Sequence, residues 1–311
     1  KKRMRLVTFV DDSGAERIGA LVNDDTEIVD LAAGDRMRGG AQTDSLRNML
    51  SLIDGGRAAL DAARTIQEAA VSGAIPEAVL PAAGIALRAP VPVPRQMRDF
   101  LCFEEHYRRA REMRFRRMAA CEPDPESAFQ AFKARGLVDV SQVWYEQPIY
   151  YKCNRFSVVG PDAEIKWPSY SELLDYELEF GVFLWTGGAN IKADRAAGHI
   201  FGYTIFNDMS ARDAQSKEMG GQLGPAKGKD FDTGNVMGPC LVTADEIGDP
   251  YNLTMRARVN GEDWSHGNSA SMHWRFEDLI EWASRDETLH PGEVFGSGTV
   301  GTGCGLERER W

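Results

Sequence analysis

Short apolar runs, many with an alternating pattern, recur along the 311-residue chain and predict a fold built mainly from β-strands. Three such runs lie near the start of the chain: RLVTFV, IGALV and EIVDL, all within residues 5–31. Alternation of apolar and polar positions is typical of a strand that is buried on one face. Two later segments, Thr43 to Ile53 and Gly56 to Ala70, carry a helical periodicity or are rich in strong helix formers, and we predict helices there.

A proline-rich segment divides the chain into two predicted domains. Four prolines and few helix formers lie between Pro81 and Pro94, which is typical of a linker. We therefore expect a small N-terminal α+β domain with its linker at residues 1–90 and a larger domain at residues 91–311. Residues 113–145 of the larger domain are rich in Arg and Ala. We predict a helical insertion there, which is either a lid over a site or a solvated surface excursion.

Composition restricts the partners and the compartment that we expect. Lys and Arg total 36 against 47 for Asp and Glu, and the net charge of −11 argues against nucleic acid and anionic membranes. No apolar run approaches the ~20 residues of a membrane span, and no leader has the form of a signal peptide. The five scattered cysteines lack a CxxC pair, which favours reduced thiols and a cytoplasmic location.

The densest candidate chemistry lies in the sequence DYELEFGVFLW, which is predicted as a strand. Asp175, Glu177 and Glu179 alternate with apolar residues and should share one face of that strand. Carboxylates at i and i+2 stand about 7 Å apart, and like charges that are half buried raise each other's pKa. A second apolar run, GYTIFND, ends in Asp208, which could close the same site from a neighbouring strand.

Three carboxylates with no nearby His or Cys suit a hard, oxygen-binding cation such as Mg²⁺, Mn²⁺ or Ca²⁺. The alternative is a half-exposed strand whose outward positions happen to be acidic. From these residues alone, the second interpretation is slightly favoured.

The remaining polar motifs point to candidate groups without fixing their roles. His106 is the one histidine with acidic neighbours in a segment that could enter the central site, although from composition alone a surface helix position is the more frequent explanation. Lys227 and Lys229 lie in a glycine-rich loop and could bind an anion or balance charge. The C-terminal glycine run lacks the following helix of a dinucleotide fingerprint, so we interpret it as a ligand-facing turn with Thr299 as a hydroxyl donor.

Several segments together resemble the fumarylacetoacetate hydrolase family. They occur in the family's order within residues 160–305: DYELEFGV, GYTIFNDMSARDAQ, GPAKGKDFDT followed by Gly238-Pro239, VNGE and LHPGEVFGSGTVG. The N-terminal strands resemble the family's small leading domain. The resemblance implies an α+β, mainly β fold whose catalytic domain is a mixed β-sandwich roll. It also implies a homodimer and a bound Mg²⁺ or Mn²⁺, with Ca²⁺ in some members.

The resemblance also implies roles for particular acids. Glu177, Glu179 and Asp208 correspond to the family's metal ligands. The larger hydrolases add a fourth ligand in a D-F-x5-H pattern, which Asp99 and His106 reproduce, so Asp99 is the implied fourth ligand and His106 the implied base.

The family pairs this histidine with a glutamate that follows the C-terminal GT loop. Glu307 has that context, and Glu105 is its rival. Lys229 matches a lysine that contacts substrate oxygen. The implied substrate contacts are Tyr151, Gln215, Arg212 and Thr299. Leu101 departs from the pattern, because the best-known hydrolase has a substrate tyrosine at that point.

We therefore expect a metal-dependent hydrolase that cleaves a carbon–carbon bond in a 1,3-diketo acid, as in aromatic catabolism. His106 and Glu307 would activate water, and the cation and Lys229 would stabilise the enolate. Decarboxylation of a β-keto acid or isomerisation of a dienoate at the same site is one alternative. A non-catalytic metal- or ligand-binding protein is another.

Overall fold

The computed structural model describes residues 4–311, so the first three residues of the predicted N-terminal domain lie outside the described residues. The strands are β1 (Arg5–Val10), β2 (Glu16–Val22), β3 (Glu27–Asp30), β4 (Val79–Pro81), β5 (Leu87–Arg88), β6 (Met97–Phe100), β7 (Tyr150–Lys152), β8 (Val158–Val159), β9 (Leu174–Asp175), β10 (Leu178–Leu184), β11 (Ile200–Asp208), β12 (Ser210–Ala211), β13 (Asn235–Thr243), β14 (Thr254–Val259), β15 (Glu262–Asn268) and β16 (Val294–Gly296). The helices are α1 (Leu31–Met37), α2 (Met49–Asp54), α3 (Gly56–Val71), α4 (Glu104–Ala119), α5 (Pro125–Ala134), α6 (Gln142–Glu146), α7 (Ala193–Ala196), α8 (Arg212–Met219) and α9 (Phe276–Ala283).

One mixed sheet runs through both predicted domains. Its strand order is β4-β3-β2-β1-β13-β11-β10-β16-β6-β7, with β5 paired to β1 and β8 paired to β13. The N-terminal strands join the catalytic ones where β1 pairs antiparallel with β13, with Leu6 opposite Leu241. The predicted α+β, mainly β fold class is confirmed. The boundary near residue 90 stays a prediction, because the sheet is continuous across it.

The central strand β10 is buried along its whole length because apolar groups cover both of its faces. Phe180, Val182 and Leu184 point into a core formed with α9, whereas Phe183 packs into the core that includes α3. Successive side chains of a strand alternate between faces, so Glu179 lies on the same side as Phe183. This alternation places an acidic side chain in the sheet interior without interrupting the α9 core.

The predictions for the N-terminal elements are mostly confirmed. The three strands and the helix from Gly56 have nearly the predicted bounds. The prediction of a helix from Thr43 to Ile53 is wrong at its start, because α2 begins only at Met49. Asn48 caps α2 by accepting a hydrogen bond from the Ser51 amide, and the Thr43 hydroxyl donates to Asp35 of α1.

The predicted helical insertion is formed by the second half of α4 together with α5 and α6. Trp144 fixes it to the body of the protein: this side chain is fully buried and donates from Nε1 to the carbonyl of Leu101 at 2.6 Å. Its ring also packs against His273, with 4.8 Å between ring centroids. Whether this insertion acts as a lid stays a prediction.

Two further expectations concern thiols and membranes. All five cysteines are free, as the sequence predicts. Among residues 4–311, no helix is both long and apolar enough to cross a bilayer.

We predict that Trp144→Ala destabilises the protein by about 3–5 kcal/mol, because it removes a large buried ring and leaves a cavity under the insertion. Urea unfolding followed by circular dichroism measures this loss. Val143→Ala is the control, because Val143 is 43% exposed and its truncation should change stability by about 0.5 kcal/mol or less. Equal effects of the two substitutions would contradict the anchoring role of Trp144.

Candidate active site

Four buried carboxylates meet at one point of the sheet. Asp99 lies in β6, Glu177 directly precedes β10, Glu179 lies in β10, and Asp208 ends β11. Each offers an oxygen atom within 4.8 Å of the others, and all four residues are between 0% and 5% exposed. They converge because β10 pairs with β11 on one side and with β16 on the other, and β16 pairs with β6.

Asp175 does not belong to this cluster, so the prediction of one uninterrupted acidic face is wrong. The chain leaves the β9–β12 pair after Asp175 and enters the main sheet only at Leu178. The carboxylate of Asp175 instead accepts from Arg212 Nε at 2.9 Å and from the backbone amides of Gly305 and Leu306 at 2.8 and 2.9 Å. It therefore connects Arg212 to the C-terminal turn.

Two buried cations compensate part of the negative charge. Lys229 Nζ donates to Glu177 at 2.8 Å, to Asp208 at 2.5 Å and to the Ser210 hydroxyl at 2.7 Å. Arg212 donates to the other oxygen of Glu177 at 2.7 Å. The predicted lysine pair is thereby separated, because Lys227 is exposed and stacks over a tyrosine ring instead.

Burial and charge shift the pKa values of the four acids in different directions. Burial is the main cause that raises the pKa values of Asp99, Glu179 and Asp208, and the charges of neighbouring carboxylates add to it. Lys229 acts against this for Asp99 and Asp208, and the hydrogen bond with Glu179 also acts against it for Asp99. Burial also acts to raise the pKa of Glu177, but the ion pairs with Lys229 and Arg212 outweigh it and hold that pKa below its usual range.

The carboxylate cluster fits a hard divalent cation. Oxygen Oδ1 of Asp99 and Oδ1 of Asp208 are buried and have no hydrogen-bond partner among the described residues. Unpaired buried carboxylate oxygens are costly unless a cation binds them. A donor set made only of oxygen atoms is the set that Mg²⁺ and Mn²⁺ prefer.

His106 and Glu307 form a second polar group beside the cluster. Nδ1 of His106, in α4, lies 2.6 Å from Oε1 of Glu307, and both residues are buried. The Thr302 amide donates to the other oxygen of Glu307 at 2.6 Å. Burial acts to raise the pKa of Glu307, but the contact with His106 and these hydrogen bonds lower it below its usual range. Glu105 forms an exposed pair with Arg109 instead, so the structure places Glu307 against the histidine.

The predicted substrate residues surround the carboxylates. The Tyr151 hydroxyl donates to Asp208 at 2.7 Å and lies 3.1 Å from Asp99. Gln215 accepts from Arg212 at 3.1 Å through its Oε1.

The glycine-rich turn after β16 closes the site from another side. The Gly298 amide donates to Glu179 at 3.0 Å, and the Thr299 hydroxyl lies 3.5 Å from the same carboxylate. Gly298 has φ +75°, and a Cβ there would stand 2.3 Å from the carbonyl oxygen of Phe100. Only glycine allows the amide to approach the carboxylate in this way.

A cavity of about 510 Å³ opens onto these groups. The predicted site residues that line it are Asp99, His106, Tyr151, Glu177, Glu179, Arg212, Gln215, Lys229 and Thr299. Asp208 and Glu307 lie behind the wall, where they contact Tyr151 and His106. A volume of this size accommodates a small organic molecule.

The cavity wall that α4 provides was not predicted from the sequence. The residues of this wall recur at helical spacing: Tyr107, Ala110, Arg111, Arg114, Arg117 and Met118. Two other arginines of α4, Arg109 and Arg116, form ion pairs with glutamates four positions earlier. Arg111 and Arg114 have no carboxylate partner among the described residues, and the Nε atoms of both are buried without a hydrogen-bond partner in residues 4–311. Arg111 and Arg114 are three residues apart in a predicted helix, and this spacing could have indicated in advance that both lie on one face.

The sequence from residue 97 to residue 311 matches the family described as fumarylacetoacetate (FAA) hydrolase C-terminal. The chain belongs to the fumarylacetoacetate hydrolase family. The match covers the four carboxylates, His106 and Glu307.

Curated relatives of this family member include oxaloacetate tautomerases. The protein named oxaloacetate tautomerase fahd2, mitochondrial, from Xenopus laevis is 43% identical over 164 residues, which cover 53% of this chain and 50% of that protein. The human oxaloacetate tautomerase FAHD2A, mitochondrial, is 41% identical over 164 residues, 53% of this chain and 51% of that protein. The chain thus spans about half the length of these curated relatives.

Solved structures share the fold over nearly the whole chain. A fumarylacetoacetate hydrolase from Exiguobacterium antarcticum gives a TM-score of 0.69 at 23% identity, covering 97% of this chain and 88% of that one. Maleylpyruvate hydrolase from Sphingobium sp. SYK-6, in complex with manganese(II) and pyruvate, gives 0.65 at 22% identity, covering 97% and 90%. At this identity the likeness establishes the fold.

We predict that the metal-free protein loses stability as the pH rises above about 4, the ordinary pKa of Asp and Glu side chains in an unfolded chain. The raised pKa values of Asp99, Glu179 and Asp208 mean that the folded state keeps protons that the unfolded chain releases. Stability is therefore highest when these groups are protonated and falls as they ionise. Saturating Mn²⁺ should raise the melting temperature most at the higher pH, because it compensates the ionised cluster.

Asp208→Asn tests this assignment in the same thermal melts. It removes one buried charge, so it should flatten the pH dependence in chelator and weaken the response to Mn²⁺. An unchanged Mn²⁺ response in Asp208→Asn, or a flat pH profile in the unsubstituted protein, would contradict the assignment.

Proposed function

We propose that this protein is a metal-dependent hydrolase that cleaves a carbon–carbon bond in a 1,3-diketo acid. The observation that carries the proposal is the buried His106–Glu307 pair, which adjoins the four-carboxylate cluster at the same cavity. A cation site and a carboxylate-oriented base beside one cavity are the two elements that hydrolysis of such a substrate needs.

The four carboxylates would hold Mg²⁺ or Mn²⁺, and Ca²⁺ is compatible with the same oxygen ligands. When bound, the cation supplies Lewis acidity to a substrate carbonyl and charge stabilisation for a developing oxyanion. The manganese in the Sphingobium structure supports this choice of ion.

His106 is the proposed base. Glu307 engages Nδ1, which leaves Nε2 as the ring nitrogen that can take a proton from water. The water oxygen adds to the distal carbonyl carbon of R–CO–CH₂–CO–COO⁻, and the bond between that carbon and the CH₂ group then breaks. The products are the acid R–COO⁻ and the enolate of pyruvate, whose CH₂ carbon takes up a proton.

The negative charge that develops on the enolate would be stabilised by Lys229, Arg212 and Gln215. The three protons of the Lys229 ammonium are directed at Glu177, Asp208 and Ser210, so Lys229 acts as a buried positive charge beside the cluster. Gln215 accepts from Arg212 through its oxygen, which leaves its amide NH₂ group to donate to a substrate oxygen.

The cavity also supports an acidic substrate. Arg111 and Arg114 line it without a carboxylate partner in the described residues, although the whole chain carries a net charge of −11. A guanidinium group without a carboxylate partner on a cavity wall is suited to binding a carboxylate. Arg111 already donates to the Leu137 carbonyl and to the Tyr107 hydroxyl, so Arg114 is the main candidate. We therefore propose a diketo acid whose distal group R carries a second carboxylate.

A second candidate is keto–enol tautomerisation of oxaloacetate, which the names of the curated relatives favour. It requires a proton to move between the CH₂ carbon and the carbonyl oxygen, without attack by water. Decarboxylation of oxaloacetate is a third candidate, and a non-catalytic role in binding a metal or ligand is a fourth. The homodimer and the cytoplasmic location stay predictions, and the names of those relatives carry the word mitochondrial.

We predict metal-restored loss of enol absorbance when chelator-stripped protein, refilled with Mg²⁺ or Mn²⁺, is given a panel of acylpyruvates. A carboxylic acid and pyruvate should appear in equal amounts. His106→Ala and Glu307→Gln should each lower kcat by about 10²–10⁴-fold, because each removes the positioned base.

Glu105→Gln is the control for this experiment, because Glu105 faces Arg109 on the surface and should leave turnover nearly unchanged. Interconversion of the keto and enol forms of oxaloacetate without release of pyruvate from any diketo acid would assign the protein as a tautomerase. Carbon dioxide release from oxaloacetate would assign it as a decarboxylase.

We predict that Arg114→Gln raises KM about tenfold for acylpyruvates with a carboxylate at the distal end, and leaves KM for neutral acylpyruvates unchanged. Arg109→Gln serves as the control. It makes the same change in α4, but Arg109 forms an ion pair with Glu105 and does not line the cavity. Equal effects of Arg114→Gln on both substrate types would argue against a distal carboxylate.

A further inference from the structure

A second group of metal-ligating atoms lies beside the carboxylate cluster. Nδ1 of His106, Oε1 of Glu307 and Sγ of Cys304 face one another, with 2.6 Å from Nδ1 to Oε1, 3.5 Å from Sγ to Oε1 and 3.9 Å from Sγ to Nδ1. Cys304 is fully buried, and the other two residues are 5% and 6% exposed. The proposed reaction uses the histidine and the glutamate but leaves the thiol without a role.

The three distances define a position for an ion. A triangle with these sides has one point equidistant from its corners, and that point lies about 2.0 Å from each atom. Bonds from Zn²⁺ are about 2.0–2.1 Å to histidine nitrogen, about 2.0–2.2 Å to carboxylate oxygen and about 2.3 Å to sulfur. An ion displaced slightly out of the plane of the three atoms meets these lengths with small side-chain movements.

The two clusters differ in the ions that they favour. The carboxylate cluster offers only oxygen and suits a hard cation, whereas a nitrogen, a sulfur and an oxygen suit a borderline ion. Zn²⁺ sites that remain open have three protein ligands and leave the fourth position to water. Of the three ligands, only His106 lines the cavity, so an ion bound to Nδ1 would lie on the far side of the ring from the cavity.

We propose that His106, Cys304 and Glu307 form an inhibitory zinc site, distinct from the carboxylate cluster. Bound Zn²⁺ would be ligated by Nδ1 of His106 and by the carboxylate of Glu307, which otherwise orients this ring. The histidine could then no longer act as a base. The inhibition rests on the proposed hydrolase function, but the binding of zinc does not.

Proton release accompanies the binding. Burial raises the pKa of the Cys304 thiol, so this group carries a proton before zinc arrives. Zn²⁺ displaces that proton, which leaves for solvent. The proton between His106 and Glu307 moves from Nδ1 to Nε2, so the imidazole stays neutral. Zinc affinity should therefore increase with pH.

The first experiment measures zinc binding with the full chain saturated with Mg²⁺, using a chromophoric chelator as competitor. Cobalt(II) serves as a spectroscopic substitute, because thiolate ligation gives a charge-transfer band in the near ultraviolet. We expect one Zn²⁺ per chain, held at least about tenfold more tightly than in Cys304→Ser, and a charge-transfer band that Cys304→Ser abolishes. Cys102→Ser is the control, because Cys102 is equally buried but belongs to neither cluster.

The second experiment measures turnover of the diketo-acid substrate against zinc concentration, with each variant referred to its own zinc-free rate. The concentration for half inhibition should rise at least about tenfold in Cys304→Ser and should not change in Cys102→Ser. Raising Mg²⁺ should not relieve the inhibition.

Two results would overturn the zinc site. Equal zinc affinity in Cys304→Ser and the unsubstituted protein would do so, and so would zinc inhibition that excess Mg²⁺ reverses, because both place zinc in the carboxylate cluster. If Cys304→Ser does not fold, Cys304→Ala replaces it in the same titrations. If the protein shows no turnover, the cobalt spectrum and the chelator competition still decide the zinc site, and only the proposed reaction fails.

Discussion

The burial of four carboxylates at one point is the constraint on which the rest of this structure depends. Ionised groups removed from water are stable only when positive charge or hydrogen-bond donors replace the lost hydration. Lys229 and Arg212 supply two charges, while the Gly298 amide and the Tyr151 hydroxyl supply donors. The compensation is incomplete, because two carboxylate oxygens have no partner among the described residues. This deficit explains both the raised pKa values and the suitability of the site for a divalent cation.

The same network ties the carboxylate cluster to the candidate base. Arg212 bonds to Glu177 on one side and to Asp175 on the other. Asp175 in turn holds the amides of Gly305 and Leu306, at the start of the turn that carries Glu307. Buried hydrogen bonds thus connect the cation ligand Glu177 to the turn that carries Glu307. A shift of one of these two carboxylates would therefore disturb the other. Catalysis that depends on distance benefits from such preorganisation.

Sequence patterns predicted much of this arrangement, and their failures have physical causes. Alternation identified the strands around Glu179 and Asp208, and the resemblance to the family implied Asp99, His106 and Glu307. The separation of Asp175 from the cluster could not be predicted, because period-2 alternation does not report where a strand leaves its sheet. The α4 wall was missed for a related reason. Arg111 and Arg114 have the composition of a solvated helix face, and only the tertiary structure shows that this face borders a cavity.

The pairing of β1 with β13 gives the N-terminal region a role that its position in the sequence does not suggest. On one side β13 is bonded to β11; on its other side β8 covers its first residues and β1 covers residues near its end. A chain that lacked the N-terminal strands would present unpaired backbone amides and carbonyls along that stretch of β13, which is a template for pairing with another molecule. The N-terminal region therefore covers part of β13. This strand is the hydrogen-bonded neighbour of β11, which bears Asp208.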